Sequence, residues 1–274
     1  MTTKRLGDKI LLILTWGFAI LTFAILLIII GYILIGGVPH LRPSLFSFNY
    51  TSYNVSMMPS IISTLIMVFL TLIIAVPLGI FTAVFLVEYM NSGSRIVKLV
   101  RQASEMLAGI PSIVYGLFGL LLFVQLFGFG LSLIAGVLTL SIMVLPVVMR
   151  TAEEALKSVP GGYREGAYAL GAGKLRVVFK IVLPSAIPGI LAGVILATGR
   201  IIGESAALIF TAGTIPQIPG SLTDSARTLS VHMWVLSNEG HNINEAYSTG
   251  VILLLIVLIM NTLSAVVAKI VIKK

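Results

Sequence analysis

Cysteine is absent from this chain of 274 residues, and only 10% of its residues are charged. The first absence excludes disulfide frameworks, thiolate metal sites and cysteine nucleophiles together. The second sets the chain apart from soluble domains, in which about a quarter of residues are charged. Histidine is scarce as well: His40, His232 and His241 show no i, i+4 pairing, so the sequence offers no helical metal site. Low-complexity segments and evident internal repeats are also missing. What remains is 58% hydrophobic, the composition of a chain that folds in lipid.

Apolar stretches predict six spans, over Ile10–Ile35, Ser60–Val87, Met106–Phe127, Leu131–Met149, Ala186–Phe210 and Ala246–Ala268. Each is near the ~20 residues a bilayer requires. The charge-free run from Met106 to Met149 is too long for one span, and Gly128-Phe129-Gly130 supplies a hairpin turn within it. With the N-terminus inside, every Lys and Arg except Arg42, Arg200 and Arg227 falls on the inner side, Lys269, Lys273 and Lys274 included. The positive-inside rule therefore expects both termini in the cytoplasm. The net charge of +8 is read as topology and not as nucleic-acid binding. The first apolar run is too long for a cleaved signal and lacks a small-x-small site, so an uncleaved first span is expected. Two units follow, residues 1–59 with the first span and an outer segment, and residues 60–274 with the remaining spans.

Residues 150–184 interrupt the apolar pattern on the inner side. Thr151–Val159 reads as a helix continuing inward from the fourth span, and Pro160-Gly161-Gly162 stops it. Tyr163, Ala167 and Leu170 share one face of a short helix, and Gly171-Ala172-Gly173 turns the chain. A second amphipathic piece, Lys174–Leu183, follows, and Pro184 and Pro188 open the fifth span. Two short helices bent at a glycine form a knob that transmits force without stretching. Gly171-Ala172-Gly173-Lys174 is not a phosphate-binding loop, because Tyr168 stands where a glycine is needed and Leu175 replaces the Ser or Thr that would hold magnesium.

This segment resembles the coupling loop of permease subunits of ATP-binding-cassette importers, with the pattern E-A-A, three residues, G, nine residues, I-x-L-P. Here it reads Glu165-Gly166-Ala167, then Gly171, then Ile181-x-Leu183-Pro184, with Gly166 as the one departure. A glycine there costs about 1 kcal/mol of helix stability relative to alanine. Further stretches are similar to the permeases of the high-affinity phosphate importer: Ala75-Val-Pro-Leu-Gly-Ile, Val87-Glu-Tyr, Leu107-Ala-Gly-Ile-Pro-Ser, and Arg200-Ile-Ile-Gly-Glu-Ser-Ala-Ala. Thr228-Leu-Ser-Val-His-Met-Trp-Val-Leu points to the second of its two paired permeases. The resemblance implies an all-α membrane protein with the type I importer permease (MetI-like) fold. It also implies a heterodimer with a related permease, two ATPase subunits inside and a phosphate-binding protein outside. ATP and magnesium would be held by the ATPase, with no cofactor on this chain. Glu165, Ala167 and Gly171 would sit at the ATPase contact.

Arg200 and Glu204 are the ionisable residues placed well inside a span, where a charge costs at least ~2.5 kcal/mol and usually faces a partner or a wet pathway. Their i, i+4 spacing predicts a shared helical face. Arg200 is expected to offer its planar guanidinium to an oxyanion in transit, with Glu204 orienting it; the bland alternative is a self-neutralising pair. Glu88, Glu105 and Arg101, at inner helix ends, are given no role. Two rivals stay open: an importer of the same class for another oxyanion or an amino acid, and an ion-coupled secondary transporter. The latter would use intramembrane carboxylates, of which only Glu204 is available.

Overall fold

The computed structural model describes the backbone of residues 2–91 and 93–272, and the side chains of that range except those of 2–8, 10 and 267–272. Lys4, Arg5, Lys269, Lys273 and Lys274, counted above among the inner charges, lie outside the described side chains. Every element among the described residues is helical. In chain order they are α1 (Thr2–Gly37), α2 (Met58–Tyr89), α3 (Arg95–Ala108), α4 (Ser112–Leu126) and α5 (Leu133–Ser158). Then come α6 (Gly161–Ala169), α7 (Lys174–Gly203), α8 (Ala206–Thr211), α9 (Leu229–Glu239) and α10 (Ile243–Ile272). Of these, α1, α2, α5, α7 and α10 are long and apolar enough to cross a membrane alone, and α3 with α4 makes a sixth candidate bent by 102°. The protein is an all-α membrane protein.

Helix α5 occupies the centre, with α2 against one side and α7 against the other. The core between them is built from Met67 and Val68 of α2, Leu140, Met143, Val144 and Val148 of α5, and Ala197 and Ile201 of α7. Close approach is obtained with small residues: Gly79 lies against Val148, Gly189 against Ala155 and Gly193 against Thr151. Any side chain at these three positions would push the helices apart, the usual logic of helix contacts in lipid. Helix α1 leans on α10 near Gly36 and Gly37, which abut Tyr247, and is otherwise exposed. The turn expected at Gly128-Phe129-Gly130 is present, with both glycines at positive φ.

Two expected spans differ from the observed helices. The third, predicted to run unbroken from Met106, is split, because α3 ends at Ala108 and α4 begins at Ser112. Pro111 lacks an N–H and disfavours a helical residue before it. The carbonyl of Leu107, whose partner four residues on would be Pro111, accepts the Ile110 N–H at 3.1 Å and the Tyr115 hydroxyl at 2.7 Å. The fifth span was expected from Ala186 to Phe210. Instead α7 begins at Lys174, passes through a π turn at Val178–Val182, and ends at Gly203. The second half of the knob is thus not a separate piece ahead of a span that opens at Pro184 but the first turns of that span's own helix, α7. Pro184 comes just after that π turn, and Val177, Val178 and Val182 are fully buried, which holds the helix through the prolines.

Candidate functional site

At the end of the bundle expected to face inward, α5 stops at Ser158, Val159 is extended, and Pro160 precedes α6. Gly171 follows α6 at φ +78°, the left-handed conformation that glycine adopts without strain. Its N–H donates to the carbonyl of Tyr168 (2.9 Å) and that of Ala172 to Ala167 (3.0 Å), satisfying carbonyls at the helix end. Ala167 is buried among Val159, Val177 and Val178 and so faces the chain's own core. Glu165, Gly166 and Gly171 are exposed around it, as is Pro184, while Ile181 and Leu183 are half-buried. A side chain on Gly166 would meet nothing, so the departure from alanine there has no packing cause. The face predicted from Tyr163, Ala167 and Leu170 is therefore split: Ala167 points inward, while Leu170 (90% exposed) and Leu175 (66%) stand open beside Tyr163 and Tyr168.

Two ion-pair groups brace this end. Arg164 of α6 donates to Glu88 Oε1 at the inner end of α2 through Nη2 (2.7 Å) and Nε (3.1 Å). The same guanidinium donates to the carbonyls of Leu156 (2.9 Å) and Val159 (2.8 Å), where a cation is favoured by the open C-terminus of α5. Lys174, across the Gly171 turn, places its Nζ 4.8 Å from the Tyr89 ring centroid. Glu153 of α5 accepts from Arg101 of α3 (2.7 Å) and pairs with Lys157 (2.6 Å). Glu88 and Arg101 were given no role by the sequence. Their partners lie 76 and 52 positions away, beyond the reach of any local pattern.

In the membrane-spanning part, Arg200 stands in the last turn of α7. It lines an open recess of about 520 Å³ with Ala192, Ile195, Leu196, Gly199 and Asn261. The expectation that Glu204 shares its helical face is overturned, because Glu204 already has extended backbone (φ −76°, ψ 127°). The carboxylate turns away to accept the N–H of Ala207 (3.0 Å), capping α8. Its carbonyl, freed by the break, accepts the Ser230 hydroxyl of α9. Among the described ion pairs none joins Arg200 to Glu204.

Residues 211–245, expected on the outer side, also fold more tightly than their Gly- and Pro-punctuated sequence suggests. Helix α9 tucks inward, with Leu229, Val231, His232 and Leu236 buried. Leu229 N–H donates to Thr64 of α2 (2.8 Å). Arg227, itself buried, donates to the Thr214 carbonyl (2.6 Å) and to His232 Nδ1 (3.2 Å) and lies over Tyr50. A guanidinium has no lone pair to give, so His232 Nδ1 is the acceptor and the ring proton sits on Nε2. Burial, and then the Arg227 charge, push the His232 pKa down to about 3. Sequence reading placed Arg227 in an outer loop; only the alternation of apolar residues in Thr228–Leu236 hinted at burial.

The fold is an apolar helix bundle with a hairpin braced by ion pairs at one end and the packed helix α9 at the other. The chain belongs to the family of binding-protein-dependent transport system inner membrane components, whose profile matches residues 75–274. It is a multi-pass inner-membrane permease subunit of an ABC importer. A probable ABC transporter permease protein of Bacillus subtilis, YqgI, is 35% identical over 257 residues, covering 86% of this chain and 85% of that protein. The phosphate transport system permease protein PstA 2 of Mycobacterium tuberculosis is 38% identical over 203 residues, 73% of this chain and 67% of that one. The mycobacterial relative agrees with the sequence's resemblance to the second of the phosphate importer's paired permeases. Among solved structures, an inward-facing MetNI methionine transporter superposes with a TM-score of 0.62 at 20% identity, covering 78% of this chain and 93% of that one. A bacterial alginate transporter, in complex with its pentasaccharide-bound periplasmic protein, also gives 0.62, at 17% identity over 93% and 96% of the two chains. Both share the fold.

Proposed function

We propose that this chain is one of two paired permeases of an ATP-driven importer for inorganic phosphate, working by alternating access with both termini in the cytoplasm. A related permease completes the passage, two ATPase subunits bind ATP and magnesium inside, and a phosphate-binding protein delivers substrate from outside. This chain binds no cofactor of its own in that scheme. The observation that carries the ATPase contact is the exposed apolar hairpin of α6 and the start of α7, built on Gly171 and shaped to be covered. Phosphate as substrate is supported by the relatives named phosphate permeases and by Arg200. Its guanidinium faces a recess, and among the described residues no carboxylate is paired to it, so an oxyanion would meet an unspent fork of donors. Asn261 lines the same recess and can supply a further hydrogen bond. Glu204 acts in this reading through the helix break, which leaves Arg200 in the terminal turn of α7.

Uptake of radiolabelled phosphate by cells carrying the whole importer tests this, with sulfate and molybdate as competitors. Arg200→Gln should abolish most uptake while the complex still assembles, and Arg200→Lys should restore little because an ammonium cannot match two oxygens at once. Full uptake by both variants removes Arg200 from the passage. Competition by another anion in place of phosphate reassigns the substrate.

A further inference from the structure

The hairpin that meets the ATPase is joined by the chain only to α5 before it and α7 after it. Helix α2, the other neighbour of α5, has no such covalent link. Yet two consecutive residues at its inner end grip both arms of the hairpin: Glu88 holds Arg164 of α6 and Tyr89 holds Lys174 of α7, on either side of the Gly171 turn. The Glu88 side chain is only 6% exposed and that of Arg164 20%, so the pair is shielded from water and from salt. Arg164 is fixed by four hydrogen bonds, two to Glu88 and one each to Leu156 and Val159. A rigid planar fork satisfied in that way tolerates little rotation. The grip falls within a π turn, Phe85–Tyr89, a local widening often found at functional positions.

We infer that Glu88 and Arg164, supported by Tyr89 and Lys174, form a clamp that makes the inner end of α2 move with the docking hairpin as one body. ATPase closure is then delivered to three spans at once, α2, α5 and α7, and not to the two the chain connects. Glu88 and Arg164 are positioning residues in this role. The inference rests on the reading that the hairpin docks on an ATPase.

The absence of native cysteine in this chain permits a direct test with paired spin labels at Asn91→Cys, just past α2, and Gly162→Cys, at the exposed start of α6. Measured in the complete importer, nucleotide-free and trapped with ATP and vanadate, the clamp gives one narrow label distance, the same in both states. With Glu88→Gln the distance should broaden or shift on trapping, and phosphate taken up per ATP hydrolysed should fall several-fold. The charge exchange Glu88→Arg with Arg164→Glu should recover part of the narrow distance, a rescue that general destabilisation would not show. An unchanged narrow distance in Glu88→Gln overturns the clamp. Should that variant not insert, Arg164→Lys serves in its place: it keeps the charge but loses the fork, and an unchanged distance there overturns the clamp equally. Copurification of the ATPase with the unaltered chain is scored separately, and its failure would strike the docking reading and not the clamp.

Discussion

The inner and outer ends of this molecule use arginine in opposite ways. Inside, Arg164 and Arg101 pair with carboxylates on neighbouring helices, while apolar residues such as Leu170 and Leu175 stand in the open. Outside, Arg227 is buried with a histidine and one carbonyl as partners, and Leu229, Val231, Val235 and Leu236 of α9 are buried. An end that leaves apolar surface exposed and braces itself laterally is prepared to be covered and pushed. The stretch around Arg227 and α9 is packed against its own chain. In the importer proposed above, the first would be a moving contact surface and the second a packed end, and each substitution below should disturb one end and spare the other.

The largest effect is expected at the hairpin. Valine at Gly171 would force a β-branched residue into the left-handed region, at a cost of about 1–2 kcal/mol or more. Leucine at Ala167 would overpack the cluster beneath α6, at about 1–3 kcal/mol. Both changes displace the docking face. Affinity purification of the importer should recover the permeases without the ATPase, and uptake should be lost, while the outer end keeps its thermal stability. Retention of the ATPase by both variants would show that the contact lies elsewhere.

A smaller effect, confined to the outer end, should follow Arg227→Met. It leaves His232 Nδ1 and the Thr214 carbonyl without their donor, each worth roughly 1–3 kcal/mol when buried, partly offset by removal of a desolvated charge. The melting temperature of the purified importer should drop with ATPase binding intact. The pH dependence has a definite sign. The folded pKa of His232, about 3, lies below the usual histidine value, so the fold favours the neutral ring. That contribution is complete above about pH 6.5 and is lost progressively as pH falls toward 3. Hydrogen exchange in α9 should therefore accelerate, relative to intrinsic rates, between pH 7 and pH 4, and His232→Phe should flatten the dependence.

The same contrast explains what was legible in the sequence. Spans, the Gly128–Gly130 turn and the Glu165-to-Pro184 spacing are written in local composition, and the inner hairpin is a local object. Its turn at Gly171 was readable because one residue type satisfies one backbone conformation. The Glu88–Arg164 pair was not, since nothing near either residue records the other. Arg200 and Glu204 misled for a related reason. A spacing of four reads as a shared face only while the helix continues, and α7 ends at Gly203 because Ser230 of a distant helix takes the freed carbonyl and Ala207 takes the carboxylate. The burial of α9 was hidden likewise: its partners, Thr64 and the Val55–Tyr50 segment, belong to other parts of the chain.

The smallest effect is expected at Asp224, and it tests whether the outer end closes piece by piece. The Asp224 carboxylate accepts the N–H groups of Gly220 and Ser221, both at 2.9 Å. The loop it shapes turns the carbonyls of Asp224 and Leu222 onto the N–H groups of Leu133 and Ile134 (2.8 and 2.9 Å), which open α5 and have no partner within the helix. Hydrogen bonds from Ser221, side chain and backbone, and from Gly220 hold the carboxyl below its ordinary value. A depressed carboxyl contributes above the unfolded value, about 3.9, and its contribution is lost as pH falls through the lower folded value. Asp224→Asn should thus reduce the exchange protection of Gly220, Ser221 and Leu133 at neutral pH, with the difference from the unaltered chain vanishing in strong acid. Because the carboxylate lies at the surface, water can replace it, and uptake, ATPase binding and α9 protection should all stay unchanged. Loosening of α9 in this variant would mean that the loop and the Arg227 cluster close the outer end as one unit.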